Sequence, residues 1–438
     1  MDVRKSMAKK QPSGWLQGLI LLLAGAVVGY LLLVLVYCLP VERMQQHLES
    51  CVDAFADGPT TLLKDDTGMW VDYLTDSMIL AEAVYKGEES PWNQAAAVYS
   101  NAINAEGEEA WTLRKVKAAL EEEQNGAAYA RYWHGNLVYL KPLLFVFDYK
   151  DILTLNMLAQ LLLMLWIAQL LLKRSRGYLL LPMALAFGML TPVAMALCLQ
   201  YMPCFYVMAI ACVVVLRYPD FVCRHAGLFF LAIGMATCYL DFLTFPLITL
   251  GIPLVLYLLL VGKSWRGGVV AIVRSSFCWG IGYVAFWAEK WIIGSLVLGE
   301  NLFADAWNSL MLRSSHETEG QELTYGATLQ NNFKGYDLRI WKVLFGLLLA
   351  ALVFLIVVRI LQGKGSFAKD VSMLVPLLLV ACMPFAWYFV TVNHSYIHYG
   401  YTHKELMITA WALSCAAAEL YCRWRGQVPA VKEKGGNG

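Results

Sequence analysis

Aspartates at the edges of apolar stretches are the residues of this chain best suited to acid–base chemistry. Asp76 lies in the segment DYLTDSMIL, in which an apolar stretch compatible with a helix follows it. At the mouth of a membrane cavity, such a carboxylate can accept the proton of an attacking hydroxyl. The alternative for the same residue is an exposed or helix-capping role. Asp76 is the first candidate for a catalytic base, and Asp72, Asp65 and Asp66 are weaker ones.

Asp241 is the second candidate catalytic residue. It stands in the segment YLDFLTFP, among phenylalanine, leucine and tyrosine residues. A carboxylate close to a membrane is costly unless it pairs with a partner or meets water, so its presence there indicates a functional site. The alternative is an aspartate that is exposed in a short surface loop.

Five cations of the chain are suited to binding a phosphate group. Arginine binds phosphate oxygens through two hydrogen bonds at once, whereas lysine supplies a point charge. Cations predicted on the extracytoplasmic side oppose the usual charge bias of membrane proteins, so they need a local reason. The alternatives are a pair between Glu289 and Lys290, or long side chains whose charged ends reach water. The candidate phosphate-binding cations are Arg131, Lys141, Lys290, Arg313 and Lys404.

Three histidines, His134, His394 and His398, are candidates for binding a substrate. His394 and His398 are four residues apart, which brings two side chains to one face of a helix and can support metal ligation. No acidic residue accompanies them, so hydrogen bonding is favoured and no metal or other cofactor is predicted. A divalent metal stays an alternative. The chain has no Walker loop, GxGxxG motif, GxSxG elbow or HExxH helix.

The elements that must position these residues are membrane spans. Of the 438 residues, 59% are hydrophobic and 15% are charged. Soluble domains carry about 25% charged residues, so the composition predicts an all-α, polytopic membrane protein. A span takes about 20 apolar residues. Only Gln200 and Pro203 break residues 178–216, so nine or eleven spans are alternatives to ten. The ten predicted spans are 15–39, 151–172, 178–198, 202–216, 225–241, 245–262, 268–289, 340–360, 371–392 and 405–421.

The charges of the loops predict the orientation of these spans. Short loops rich in Lys and Arg stay in the cytoplasm, and every second loop of the ten-span arrangement is basic. Both termini are therefore predicted to be cytoplasmic, in a multi-pass protein of the cell membrane whose first span is an uncleaved signal-anchor. The predicted divisions are a cytoplasmic N-terminus (1–14), the first span (15–39), an extracytoplasmic loop with interfacial helices (40–150), a bundle of the remaining helices (151–421) with an outer loop at 299–338, and a cytoplasmic tail (422–438).

This arrangement resembles the GT-C superfamily of polytopic glycosyltransferases, which use sugars linked to polyprenyl phosphate. The resemblance rests on the span 15–39, the polar loop with Asp76, and the stretch RYWHGNLVYLKP that returns to the membrane. It implies inverting transfer of a sugar from a polyprenyl-phosphate donor to an extracytoplasmic glycan or lipid acceptor. Asp76 would then act as the general base, and Asp241 would bind the sugar or assist. The cations implied to stabilise the leaving phosphate are Arg131, Lys141, Lys290 and Arg313.

Two other classes of function compete with the enzyme. A transporter or lipid flippase would line a pathway with Asp241, Lys290 and the histidines, and a non-catalytic scaffold or sensor would use the acidic loop to bind a partner. The charges of the chain gather in segments predicted on one face, which favours the enzyme. The predicted partners are a polyprenyl-phosphate-linked sugar, its acceptor and membrane lipids. Nucleic acid is not predicted, because no dense basic patch exists.

Overall fold

A computed structural model describes residues 14–58, 61–62, 70–103, 109–121, 125–261, 264–318, 320–336, 339–362 and 364–426. Asp65 and Asp66, the weakest candidates for a base, lie outside the described residues.

The all-α prediction is confirmed, since the described residues contain 21 α-helices and three short, two-stranded antiparallel sheets. The helices are α1 Gly14–Tyr37, α2 Glu42–Glu49, α3 Tyr73–Ala83, α4 Pro91–Ala97, α5 Trp111–Ala118, α6 Leu137–Val146, α7 Tyr149–Lys173, α8 Leu180–Met189, α9 Pro192–Ala196, α10 Met202–Arg217, α11 Pro219–Leu240, α12 Ile248–Val261, α13 Trp265–Leu298, α14 Leu302–Arg313, α15 Tyr325–Lys334, α16 Arg339–Leu361, α17 Lys364–Ala381, α18 Met383–Val390, α19 Val392–Ile397, α20 Tyr399–Thr402 and α21 Met407–Trp424.

The remaining regular elements are short. Four 3-10 helices cover Val52–Phe55, Gly177–Leu179, Leu199–Tyr201 and His403–Leu406. The two-stranded sheets pair Thr61–Leu62 with Trp70–Val71, Tyr99–Asn101 with Gly126–Ala128, and Glu317–Thr318 with Gln321–Glu322.

Seven helical segments of the described chain are long and apolar enough to cross a membrane. They coincide with seven of the ten segments that hydropathy predicts, and they support a multi-pass membrane protein. The total of ten spans stays a prediction. The seven segments are Gly14–Tyr37, Tyr149–Lys173, Leu199–Arg217, Pro219–Leu240, Trp265–Leu298, Ile340–Leu361 and Met373–Val390.

The predicted span 178–198 is interrupted in the structure. Helix α8 ends at Met189, and Thr191 adopts a left-handed conformation with a φ of 53° before α9 begins at Pro192. A residue that precedes proline disfavours the helical region, while proline suits the first turn of a new helix. The Thr191-Pro192 pair therefore explains the break. The predicted spans 245–262 and 405–421 become the 14-residue α12 and the 18-residue α21.

Local capping fixes where the long helices begin and end. The Asp148 side chain accepts a hydrogen bond from the Asp151 amide at the start of α7, and Ser264 does the same for the Gly267 amide at the start of α13. Helix α13 ends at Leu298 and is capped by Gly299, whose φ of 71° suits glycine. At 34 residues, α13 is longer than the predicted segment 268–289, so Lys290 lies within the helix and not at its end.

Helices α11 and α13 cross closely at two glycines. A Cβ atom on Gly234 would overlap the carbonyl of Trp279, and one on Gly282 would overlap the carbonyl of Leu231. Small residues at a crossing let two membrane helices approach until their backbones touch. The end of α13 beyond this crossing, together with the segment between α1 and α6, forms what we call the loop end of the bundle.

We expect Gly282→Ala to lower the thermal stability of the purified protein in detergent. The added methyl group forces the backbones apart, and overpacking of this kind costs about 1–3 kcal/mol. Gly280→Ala is the matched control, because a Cβ at Gly280 of the same helix meets no atom within 4 Å. Equal melting temperatures for the two variants would contradict the close crossing.

Candidate functional site

Asp76 joins three elements at the loop end. Its Oδ2 accepts hydrogen bonds from the Leu199 amide (2.9 Å) and the Tyr149 hydroxyl (2.8 Å), and its Oδ1 accepts one from the Gln200 amide (3.1 Å). The Cys198 thiol lies 3.4 Å from Oδ1. These amides begin the Leu199–Arg217 segment, whose free N–H groups attract a negative charge. Asp76 therefore caps a helix that begins 123 residues further along the chain.

This enclosure argues against the predicted role of Asp76 as a general base. Its side chain has 0% exposure, and both oxygens already accept hydrogen bonds from the protein. Burial raises its pKa to about 7, while the amides of Leu199 and Gln200 and the Tyr149 hydroxyl oppose that shift. A base must reach the hydroxyl that it deprotonates. The capping alternative fits Asp76, although the helix that it caps is not its own.

The three candidate lysines are fully buried and cap the C-terminal ends of helices. Each ammonium group donates to backbone carbonyls that end a helix and lies over an aromatic ring, so the contacts satisfy free carbonyls and the negative end of the helix dipole. The contacts are Lys141 to Ala83 O (2.6 Å) over Tyr37, Lys290 to Ala96 O (2.5 Å) over Trp133, and Lys404 to Leu190 O (3.2 Å) over Tyr201. This geometry argues against phosphate binding by these lysines.

Lys290→Met is expected to destabilise the fold more than the loss of a surface lysine. Removing the ammonium leaves the carbonyls of Ala95 and Ala96 without their donor, and an unsatisfied buried acceptor costs about 1–3 kcal/mol. The control is Lys86→Met, because Lys86 pairs with Glu42 at an exposed surface, where ion pairs contribute about 0–1 kcal/mol. The melting temperatures of the two variants in detergent measure the difference. An equal decrease in melting temperature for both variants would contradict the capping role of Lys290.

His134 is also enclosed. Its Nδ1 lies 2.9 Å from Glu82 Oε2, its Nε2 lies 3.0 Å from the Tyr129 carbonyl, and its exposure is 1%. The residue has a φ of 54°, so these contacts hold a backbone conformation that non-glycine residues seldom adopt. Both ring nitrogens are occupied within the protein, which argues against substrate binding by His134.

The two candidate arginines remain partly accessible and lie near one another. Arg131 keeps 27% of its side chain exposed, with its Nε 3.5 Å from Asp305 Oδ2 and a hydrogen bond to Ser309. Arg313 donates to Nε2 of His398 at 2.8 Å. The structure thus brings the segment around Arg131, which lies just before α6, into contact with α14, which ends at Arg313.

Tyrosines complete this arrangement. The hydroxyls of Tyr129 and Tyr132 lie within electrostatic reach of both guanidinium groups, whose positive charge lowers each pKa against the larger, raising effect of burial. Tyr401 stacks on the ring of His398 with centroids 5.2 Å apart. We call this set the arginine cluster, and its members are Arg131, Arg313, Tyr129, Tyr132, His398 and Tyr401.

The two histidines predicted to share a face lie side by side, with ring centroids 4.8 Å apart. Nε2 of His394 contacts the Leu243 carbonyl at 2.7 Å, so it carries the proton, and the buried Nδ1 has no hydrogen-bond partner among the described residues. Burial lowers the pKa of His394, and burial with the charge of Arg313 lowers that of His398 to about 4. Both rings are therefore neutral at pH 7, and each neutral imidazole can donate and accept a hydrogen bond without bringing a positive charge to the site.

Asp241 lies beside the arginine cluster and ends α11. It has 2% exposure, its Oδ2 accepts from the Thr244 amide at 3.0 Å, and its Oδ1 accepts from the Thr244 hydroxyl. Burial raises its pKa to about 7. The charge of Asp241 acts on Tyr132 and Tyr401, so the structure brings this candidate close to the cluster while a local turn occupies its oxygens.

Among the candidate acids that the structure describes, Asp72 has the most exposed surface, at 9%. It caps α3, since its Oδ1 accepts from the Thr75 amide (3.1 Å) and its Oδ2 from the Thr75 hydroxyl (2.9 Å). The hydrogen bonds that its carboxylate accepts come from the first turn of α3, where the Leu74 amide also contributes. Burial raises the pKa of Asp72, and its charge acts on Tyr401 of the arginine cluster. Its partial exposure makes Asp72 an alternative to Asp76 for the role of general base.

Several residues of the site are not candidates in the sequence analysis. Asp305 and Ser309 precede the candidate Arg313 at intervals of four, a spacing that puts the three side chains on one face of α14 and that could have been noticed. The tyrosines offered no such signal. Glu405 is fully buried near Asp241, accepts from the Leu247 amide at 3.0 Å, and has a pKa raised by burial.

No group of three or more His, Cys, Asp and Glu side chains suited to holding a metal ion occurs among the described residues. No family model, curated protein or solved structure matches the chain. The chemistry of the arginine cluster is therefore inferred from its own residues.

Proposed function

We propose that the chain is an integral-membrane glycosyltransferase, which moves a sugar from a polyprenyl-phosphate donor to an extracytoplasmic glycan or lipid acceptor. The observation that carries the proposal is the arginine cluster, which combines two accessible guanidinium groups with tyrosines and a neutral histidine. The cluster lies where the 34-residue α13 ends. A phosphate attached to a hydrocarbon chain must stay at the membrane interface, where such a cluster can meet it.

Arg313 is the cation best placed to bind the phosphate. Its described partner is a neutral imidazole, so no described carboxylate competes for its charge, whereas Arg131 already faces Asp305. Guanidinium groups bind phosphate oxygens through paired, charge-assisted hydrogen bonds. During transfer the leaving phosphate gains negative charge, and fixed donors stabilise that charge in the transition state.

Asp72 replaces Asp76 as the proposed general base. The acceptor hydroxyl would attack the anomeric carbon, the bond from that carbon to the phosphate oxygen would break, and the electron pair would leave with the polyprenyl phosphate. The hydroxyl proton would pass to Asp72, which has the most exposed surface of the described candidate acids and whose charge acts on Tyr401. Asp241, His394 and Tyr132 would bind the sugar beside the arginines.

The proposed topology places the loop end outside the cytoplasm and both termini inside, with ten spans in the cell membrane. Basic residues of three loops support it, because they meet at the end of the bundle opposite the arginine cluster. Arg176 and Arg423 pair with Glu419, while Arg359 and Arg423 pair with Asp370. Basic residues near span ends mark the cytoplasmic side.

Binding of the product lipid tests the proposal before any acceptor is known. The purified chain in lipid nanodiscs is expected to gain thermal stability from polyprenyl phosphate, because a ligand that binds the native state stabilises it by an amount that grows with the logarithm of the ligand concentration over Kd. Polyprenol of the same length is the control, since it has the hydrocarbon chain without the phosphate. Equal stabilisation by both lipids, or by neither, would contradict the phosphate site.

A further inference from the structure

Helix α14 has three distinct faces. Asp305, Ser309 and Arg313 lie on the face that meets the arginine cluster, and Ala306 beside them is fully buried. Asn308 lies on an exposed polar face. The third face is apolar: Phe303, Trp307 and Met311 follow at intervals of four and so line one side of the helix.

This apolar stripe is open to the surroundings. Phe303, Trp307 and Met311 are 42%, 58% and 54% exposed. Large apolar side chains that repeat along one face of a short helix are covered by a partner in a stable protein. Leu312, which is also exposed, lies off the stripe towards the polar face.

The position of α14 relative to α13 indicates what covers the stripe. Leu302 begins α14, three residues after Gly299 caps the end of α13. The Leu302 amide donates a hydrogen bond to the Ser295 hydroxyl, and the Phe303 ring contacts the Trp291 ring of α13 at a centroid distance of 5.8 Å. Leu296, on the last turns of α13, is 79% exposed. The stripe thus continues the apolar surface of a helix long enough to span the membrane.

We propose that α14 lies in the membrane surface, with Phe303, Trp307 and Met311 inserted among the acyl chains of the adjacent leaflet. Tryptophan settles at the boundary between headgroups and hydrocarbon, and helices with one apolar face lie in that plane. The opposite face then carries Arg313 to the arginine cluster. The bilayer thereby holds one wall of the cluster in place.

A photo-crosslinking amino acid tests this placement in the full chain. Benzoylphenylalanine is introduced separately at positions 303, 307, 311 and 308, and each protein is reconstituted in vesicles of phosphatidylcholine and phosphatidylglycerol. Mass spectrometry after illumination counts phospholipid adducts. We expect several-fold more adduct at 303, 307 and 311 than at 308, which lies on the polar face of the same helix.

Equal adduct formation at all four positions, its absence from the stripe, or crosslinks from the stripe to protein in place of lipid would overturn the proposal. If one variant fails to yield a monodisperse protein, the other stripe positions carry the same comparison. The experiment requires no substrate. Lipid adducts together with a failure of polyprenyl phosphate to stabilise the chain would therefore refute the proposed function and leave the placement of α14 intact.

Discussion

Asp72→Asn is expected to abolish most sugar transfer while leaving the fold intact. Asparagine caps a helix as well as aspartate does, so the contact with the Thr75 amide can persist and α3 remains capped. The amide cannot take the acceptor's proton. Loss of general-base catalysis lowers a rate by about 10²- to 10⁴-fold. Transfer of labelled sugar per folded molecule in nanodiscs measures the loss, with the melting temperature recorded on the same sample.

Asp76→Asn is the informative comparison, and the opposite pattern is expected of it. An amide nitrogen in place of one oxygen would face the Leu199 or Gln200 amide, donor against donor. Leaving a buried donor unsatisfied costs about 1–3 kcal/mol, so the melting temperature should fall. The molecules that still fold should transfer sugar at a rate close to that of the parent. An Asp76→Asn protein that is stable but inactive would indicate that Asp76, and not Asp72, is the general base.

The acidic limb of the rate profile offers a second measure of Asp72. Burial raises its pKa above 3.8, so the ionised form that accepts a proton is lost at a higher pH than for an exposed aspartate. Transfer should therefore decline as the pH falls through that raised pKa and recover as the pH rises. A rate that is independent of pH on the acidic side would remove Asp72 from the role.

Arg313→Gln is expected to weaken the binding of polyprenyl phosphate by about 10- to 100-fold, because hydrogen bonds to charged groups contribute about 1.5–3 kcal/mol. Arg313→Lys should recover part of the affinity, since it keeps the charge and loses the paired geometry. Titration of the lipid into nanodiscs, followed by thermal stability, gives Kd for each variant.

Arg266→Gln removes the same charge at the start of α13, about 50 Å along a 34-residue helix from the end that leads into α14. Its affinity should match that of the parent. If Arg266→Gln weakened binding as much as Arg313→Gln, the effect would reflect overall charge and would contradict a site at the arginine cluster. The change in melting temperature that polyprenol causes should be the same in Arg313→Gln and Arg266→Gln as in the parent protein.

More of the fold than of the candidate site could be predicted from the sequence. Long apolar runs such as 340–360 identify helices directly, because a helix satisfies its own backbone hydrogen bonds and its composition is enough to reveal it. The break at Thr191 was missed, although the proline that follows it signals one. Arg131 and Arg313 were both selected as cations in need of a local reason, and the structure brings them to one surface.

The contacts of the lysines and Asp76 could not be predicted from sequence, because their partners are backbone groups of distant elements. Lys290 meets carbonyls 194 and 195 residues earlier in the chain, and Asp76 meets amides 123 and 124 residues later. Every residue type carries a backbone carbonyl, so the sequence does not show which carbonyl or amide a distant side chain will contact. The transport hypothesis depended on Lys290 lining a pathway, and the capping of α4 by that lysine argues against it.

The contacts of Asp76 and the buried lysines also bear on how the chain is made. Helices α3 and α4 are translated early, yet their partners are Lys141, the amide of Leu199 and Lys290. Until those later residues leave the ribosome, the Asp76 carboxylate lacks these donors and the C-terminal carbonyls of both helices lack their lysine caps. The polar segment that follows α1 can therefore complete these contacts only after most of α13 has been translated.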